Sequence, residues 1–351
     1  MKLQIFTTQE IQKWYEILGC FHSTDIYFFP EYHRAYELNG DGVAYAFVAQ
    51  DGEHLWFYPF FVRPIEQVGS KVLDETWYDI ETVYGYSGPL STTNDQAFLT
   101  KVQTAFSHWC QDNRIIAEFI RFNPLLENHQ YVDQSCRIFP NRETVIVSLK
   151  GSEQDLWTNY PSVHRNMINK AIKKGLFCAE SSTPESLEAF QQLYGKTMKL
   201  LGAIPYYYFC EPYFNYLWSN LAQTVKLFTV RYEGQIVSAG LFLQHGRYLH
   251  YHLAGSDVNY RSFAPNNLLL HTVAMWGQKN GFRWLHLGGG RTTDPKDDLF
   301  RFKASLSKLY LPFYIGRRIH SAAIYEKLCS IWMRQQNLIE RPNYFLLYRL
   351  T

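Results

Sequence analysis

The sequence predicts an α/β protein of two halves, each a mixed, twisted sheet flanked by helices. Three observations carry this reading. From Tyr248 to Lys303 the chain reads strand, helix, strand, with a glycine loop, Gly288-Gly289-Gly290, at the exit of the second strand. Both halves follow one order, helices and a hairpin and then strand, helix, strand, although their residues do not repeat. No helical segment long enough for a coiled-coil arm separates them. The 351 residues can bury two cores of ordinary size, and the break at Lys150-Gly151 divides the chain into residues 1–150 and 151–351.

In the first half a helix-like segment runs from Gln9 to Leu18. The aromatic passage Tyr27-Phe28-Phe29-Pro30 and a helix from Glu31 to Leu38 follow. Val43–Ala49 and His54–Val62 are apolar runs on either side of Asp51-Gly52, which predicts a hairpin. Pro59 lacks an amide hydrogen, so a bulge or a sheet edge is expected there. Tyr84-Gly85-Tyr86-Ser87-Gly88-Pro89 is a cluster of turn formers. A helix from Asp95 to Asn113 leads into the strand Ile115–Pro124, and Thr144–Leu149 closes the half as a strand.

The second half opens with a helical stretch, Trp157–Gly175. Ser181-Ser182-Thr183-Pro184 caps a helix that runs to Leu200, Tyr206–Phe209 interrupts, and another helix covers Pro212–Ala222. Val225–Arg231 and Val237–Gln244 form a hairpin turning at Glu233-Gly234. After the strand Tyr248–Ala254, Pro265 suits a helix start, where its missing N–H would be unpaired anyway, and Gly281 suits the end. Between them Leu268 or Leu269, Thr272, Met275 and Trp276 repeat with helical spacing. A helix joining two strands places Tyr248–Ala254 and Phe282–Leu287 parallel. Ligands bind where such strands end in loops, so His252, Ser256 and Gly288, Gly289 and Gly290 should line one rim.

Composition excludes several classes. The net charge of +2 gives no global basic field, which argues against a general nucleic-acid binder. Six cysteines without close spacing read as reduced thiols rather than a zinc site or a disulfide frame. The N-terminus lacks the apolar run of a signal peptide, and no window is apolar enough to span a bilayer, so a cytoplasmic protein is expected. Aromatic residues make up 17%, enough to furnish both cores and a cleft for an amphipathic ligand.

His250 and His252 alternate with Tyr251, which puts both on one side of a regular strand, suited to proton transfer or to a hydrogen-bonded polar face. With no carboxylate at ligand spacing they argue for no metal. Arg165, Lys170, Lys173 and Lys174 form a basic helical face, either solvated or in contact with a diphosphate or a tRNA backbone.

These stretches resemble the FemAB-type transferases of the GNAT acyltransferase superfamily, a peptidoglycan bridge-forming family. Ser162–Gly175, ending Lys170-Ala171-Ile172-Lys173-Lys174-Gly175, is similar to their basic helix. Leu285–Gly290 followed by Leu299–Lys303 is similar to their strand, glycine loop and Phe-Lys signature. Tyr84–Pro89 and Arg121-Phe122-Asn123-Pro124 match first-domain positions. The resemblance covers nearly the whole chain and implies two tandem GNAT-like domains, residues 1–150 on the acceptor side and 151–351 on the donor and catalytic side.

It further implies Lys303 as a catalytic residue, to which the position of His252 nearer the ligand rim adds that histidine, and Tyr84, Tyr86, Arg121, Arg165, Lys170, Lys173, Tyr206, Tyr208 and Arg301 are the candidates for binding substrate. Ser256, Arg261, Asn266 and Gly288, Gly289 and Gly290 would bind donor. Arg301 would share the face of Lys303 only in an extended segment. At the connection where acetyl-CoA-dependent relatives carry spaced glycines, this chain has Arg261-Ser262-Phe263-Ala264-Pro265-Asn266. No tightly bound cofactor is implied, and the co-substrate is aminoacyl-tRNA or acyl-CoA. The expected function is amide formation on an amine of a phosphate-bearing saccharide or peptidoglycan precursor, with tRNA as a partner and peripheral contact with a membrane-anchored substrate left open. Two alternatives remain: an acyl-CoA-dependent N-acetyltransferase of a nucleotide-linked amino sugar or small amine, and a degenerate pair serving as a binding or scaffold protein.

Overall fold

A computed structural model describes residues 1–350. Along the chain the elements are β1 (Lys2–Thr7), α1 (Ile11–Leu18), α2 (Pro30–Leu38), β2 (Val43–Asp51), β3 (His54–Val68), β4 (Lys71–Glu81), β5 (Leu90–Ser91), α3 (Gln96–Asp112), β6 (Ile115–Arg121) and β7 (Arg137–Ser148). They continue with α4 (Glu153–Asn159), α5 (Ser162–Lys173), β8 (Phe177–Ser181), α6 (Pro184–Leu200), α7 (Glu211–Asn220), β9 (Val225–Tyr232), β10 (Gln235–His245), β11 (Tyr248–Ser256), α8 (Pro265–Lys279), β12 (Trp284–Gly288), α9 (Asp298–Ala304), β13 (Leu309–Ile319) and α10 (Ala322–Gln335). Contacts divide the chain into two units. One is Met1–Asn141 with the segment from Phe313 onward, and the other is Arg142–Pro312. The sequence boundary at 150 left the C-terminal segment with the second half. In the structure that segment pairs and packs with the first.

In the first unit the strand order is β1-β2-β3-β4-β6-β13. The long apolar run of β3 is explained by burial on both faces. Trp56, Tyr58 and Phe60 pack with Phe98, Val102 and Phe106 of α3, while Leu55 and Phe57 pack with Trp14 and Leu18 of α1. Ile65 and Val68 lie against Leu328 and Trp332 of α10. Pro59 makes no bulge: it pairs in register with Ala46. On its other side β3 meets β5 at Trp56 and Phe57 and β4 only from Phe61, so Pro59 falls in a gap where no amide is needed.

The second unit has the order β7-β12-β11-β10-β9-β8. The hairpin β9–β10 turns through Glu233 and Gly234 with φ of 48° and 81°, the left-handed pair of a type I′ turn. The face carrying Phe228, Leu249, Leu285 and Leu287 is covered by α5 and α8 through Ile168, Ala171, Leu269, Leu270 and Val273. α6 packs on the sheet at β11, where a Cβ on Gly255 would collide with the backbone of Leu193 and Tyr194. β11 and β12 are parallel, as the strand–helix–strand pattern requires. The longest helices, α3 and α6, have 17 residues each, so no long arm is present among the described residues.

Candidate active site

The centre of the second unit is the place where β11 and β12 part. Their parallel ladder pairs Tyr248–His250 with Trp284–His286 and stops. Both strands nevertheless continue, β11 to Ser256 against β10 and β12 to Gly288 against β7. Each carries an extra residue just past the last shared rung. Leu241 faces Leu253 while Phe242 faces Tyr251, which leaves His252 as a bulge, and Ile146 faces His286 while Val145 faces Gly288, which leaves Leu287 as another. A bulge bends its strand and increases its twist, so paired bulges open a gap. Along it the facing backbone groups have no partner strand, and such groups need a hydrogen-bond partner from elsewhere.

The bulge corrects the expectation that His250 and His252 share one face. His250 is buried with its Nδ1 3.3 Å from Nδ1 of His286, the residue opposite it in the ladder. Burial drives the His286 imidazole well below its ordinary pKa, with His250 and Lys303 adding to the effect, so the His286 ring is neutral. The re-aimed His252 meets α7, its Nε2 2.8 Å from the Tyr213 hydroxyl. Burial, with His250 second, takes His252 down to about 3, so the ring that shares a hydrogen bond with the Tyr213 hydroxyl is neutral.

Lys303 sits at the C-terminal end of the gap. The segment Leu299–Lys303 is helical, not extended, because Asp297 caps α9 by accepting from the Phe300 N–H at 3.0 Å. Lys303 and Arg301 therefore point different ways, with Lys303 buried and Arg301 exposed. The Lys303 Nζ donates to the Gly289 carbonyl at 2.7 Å and lies 5.8 Å from the centroid of the Tyr251 ring. Burial lowers its pKa to about 7, opposed by Asp297 and assisted by Arg142.

The glycine loop is folded back on itself. Asp297 Oδ2 accepts from the N–H groups of Arg291 and Thr292, each at 3.1 Å, and Arg142 Nη1 donates to the Gly290 carbonyl at 2.6 Å. A Cβ on Gly290 would lie 2.6 Å from Asp297 Oδ1, and Gly288 has φ of +72°. Close packing calls for glycine at 290, against Asp297, and at 289, against Arg142, and the positive φ favours it at 288.

The other sequence candidates are distributed as follows. Ser256 and Asn266 come together, with Asn266 Nδ2 3.4 Å from Ser256 Oγ and Ser238 Oγ donating to Asn266 Oδ1 at 2.7 Å. Arg261 is exposed. The connection carrying it is filled by Phe263, edge-on to Tyr232 at 5.3 Å. Arg165 turns toward the end of α4, donating to the carbonyls of Thr158 and Tyr160 at 3.1 and 2.5 Å. Lys170, Lys173 and Lys174 instead line a surface depression of about 450 Å³ with Asn166 and Asn169.

Tyr206 and Tyr208 are exposed. Tyr206 leads inward through Phe209, at 6.0 Å between rings, to Tyr213, at 4.7 Å from Phe209. In the first unit Tyr84 and Tyr86 join an aromatic cluster, 6.0 Å from Tyr36 and 5.7 Å from Tyr27, and Arg121 pairs with Glu81 over the Phe119 ring. Sequence reasoning missed Tyr213, His286, Asp297 and Arg142. Only Asp297 had a local signal, as an acidic residue three before Phe300 at a helix start.

Residues 163–303 match the family described as Acetyltransferase (GNAT) domain. The crystal structure of FemX superposes with a TM-score of 0.66 at 14% identity, over 93% of this chain and 99% of that one. A tandem GNAT protein from the clavulanic acid biosynthesis pathway superposes with a TM-score of 0.51 at 7% identity, over 91% and 99%. The fold class is that of tandem GNAT-like proteins, with the diverging strands and the Lys303 helix inside the matched domain. More particularly, the chain is similar to a Fem-type transferase. The UDP-N-acetylmuramoylpentapeptide-lysine N(6)-alanyltransferase of Weissella viridescens is 23% identical over 268 residues, 70% of this chain and 78% of that protein.

Proposed function

We propose that the chain is a Fem-like aminoacyltransferase that forms an amide on an amine of a cell-wall or cell-surface saccharide precursor. The observation that carries this reading is the gap between β11 and β12 beside the buried ammonium of Lys303. An acceptor amine attacks the donor's acyl carbon, and the carbonyl oxygen becomes an oxyanion that backbone N–H groups along the gap and Lys303 stabilise. The C–N bond forms, the C–O bond of the aminoacyl ester breaks, and the amine's proton leaves with the ribose hydroxyl. No covalent enzyme intermediate is needed. The choice of acceptor is supported by the Weissella relative, whose name specifies a lysine amine on a muramoylpentapeptide as acceptor.

Aminoacyl-tRNA is the favoured donor. Phe263 and Ala264 occupy the connection before α8, Ala264 with φ of +60°, where a thioester donor's pyrophosphate would need the backbone to come close. The depression lined by Lys170, Lys173 and Lys174 offers phosphodiester contacts instead. Incubation with labelled aminoacyl-tRNA or labelled acyl-CoA, each with a muramoylpentapeptide acceptor, tests the reading. Label in the acceptor from aminoacyl-tRNA alone is expected, and transfer from acyl-CoA alone would replace it with the thioester reading.

A further inference from the structure

Outside the gap, the segment from Lys196 to Tyr208 has an unusual surface. α6 ends at Leu200, and the chain then leaves five large apolar side chains open within nine residues: Leu200 is 66% exposed, Leu201 47%, Ile204 62%, Tyr206 39% and Tyr208 47%. Apolar residues scattered singly on a surface need no explanation, but a contiguous set does. The backbone beneath them is held in place. The Tyr194 hydroxyl donates to the Tyr207 carbonyl at 2.8 Å, the Ala203 N–H to the Met198 carbonyl at 3.0 Å, and the Tyr208 N–H to the Pro205 carbonyl at 3.0 Å. The side chains are thus presented outward by a fixed turn. Lys196 and Lys199 flank them, both exposed, and no acidic residue occurs from Lys196 to Cys210.

We propose that Leu200–Tyr208 is an interfacial anchor that seats the second unit on an anionic lipid surface. The leucines and Ile204 have no polar atoms, so they offer a partner no directional contact, which suits disordered acyl chains. Tyrosines favour the headgroup level, apolar ring inward and hydroxyl in water, and lysines meet anionic headgroups while their stems cover apolar surface. The anchor is tied to the reaction centre by the ring series from Tyr206 through Phe209 to Tyr213, whose hydroxyl bonds His252. The lipid contact stands without the transferase reading above.

The test is flotation of the full chain with phosphatidylcholine vesicles with and without phosphatidylglycerol, alongside transfer assays. The chain is expected to float with the anionic vesicles. The combined variant Leu200→Ser, Leu201→Ser, Ile204→Ser should lose at least about tenfold in partitioning, since each buried aliphatic side chain contributes about 1.5–3 kcal/mol. Its melting temperature should change far less than its partitioning, because about half or more of each side chain is already in water. Lys196→Gln with Lys199→Gln should weaken binding several-fold and remove its salt dependence. With a nucleotide-linked acceptor in solution the triple variant should keep its kcat/KM, and with a lipid-linked acceptor in vesicles it should lose about tenfold, in step with the partitioning. A wild-type chain that stays in the aqueous phase, or a triple variant that floats as well as wild type, overturns the anchor. Vesicle binding without transfer to any acceptor would leave the anchor standing and remove the transferase reading.

Discussion

The Lys303 ammonium donates to the Gly289 carbonyl at 2.7 Å, which ties the last turn of α9 to the loop leaving β12. This bond holds a cation at the mouth of the gap between β11 and β12, where the proposed reaction develops negative charge. Lys303→Ala is expected to lower kcat by about 10²–10³-fold with little change in KM, the size typical for loss of one oxyanion donor. Lys303→Arg, which keeps the charge, should recover part of it. Steady-state kinetics of both variants check this.

The same lysine gives a pH dependence. Burial lowers its pKa in the folded chain to about 7 from 10.5. Where the ammonium form is required, kcat/KM should fall as pH rises through about 7, and in Lys303→Arg that limb should disappear. The sign for stability follows from the same shift. Below pH 7 the folded chain carries the full cost of a buried charge. The cost shrinks between about 7 and 10.5 and is gone above. Lys303→Met should therefore stabilise the chain most below pH 7 and not at all near pH 11, measured as the difference in melting temperature across pH.

Asp297 organises the loop that Lys303 closes. Despite burial, which opposes it, the N–H groups of Phe300, Arg291 and Thr292 hold its carboxyl below the usual range. A depressed carboxylate contributes stability that is present above its unfolded pKa and lost as pH falls through the folded one. Asp297→Ala should cost about 0.5–2 kcal/mol at neutral pH, as for other helix caps. Gly290→Ala should also be impaired, since its Cβ would press on the same carboxylate at 2.6 Å. Chemical denaturation at pH 7 and pH 3 checks both, with the Asp297→Ala difference smaller at pH 3.

The basic depression on α5 predicts a salt effect. Combined Lys170→Gln, Lys173→Gln and Lys174→Gln should raise KM for aminoacyl-tRNA and reduce the slope of log KM against log salt by about 0.7 for each lost contact to a single-stranded phosphate. Arg165→Gln should instead lower stability, because its guanidinium bonds the end of α4. Filter binding at several salt concentrations, with a thermal melt, separates the two effects.

Much of the second unit was legible because local chemistry decides it. Glu233-Gly234 specifies its hairpin turn and Pro265 starts α8, whereas the face α8 buries runs through Leu269, Leu270, Val273, Ala274 and Gly277, and Thr272, Met275 and Trp276, expected on it, are only half-buried. Other features depend on distant residues. Phe300–Lys303 alternates apolar and basic like a strand, yet the Asp297 cap and the Lys303–Gly289 bond make it a helix. The bulge at His252 is set by the slip between β10 and β11, which no residue type announces. β4 was missed because its residues are largely polar and charged. Asp79 is buried only because Arg63 and Arg349, from two remote segments, pair with it. The tandem fold was readable from order and resemblance, whereas Tyr213 and His286 joined the candidate site only through pairing across the unit.

The central claim is that the gap beside Lys303 transfers an aminoacyl group directly to an amine. Single-turnover transfer from labelled aminoacyl-tRNA to a muramoylpentapeptide acceptor, comparing wild type with Lys303→Ala, tests it most directly. Transfer by wild type, slowed about 10²–10³-fold in the variant at equal tRNA binding, is the expected result. Equal single-turnover rates in the two proteins, or label trapped covalently on the chain, would contradict it.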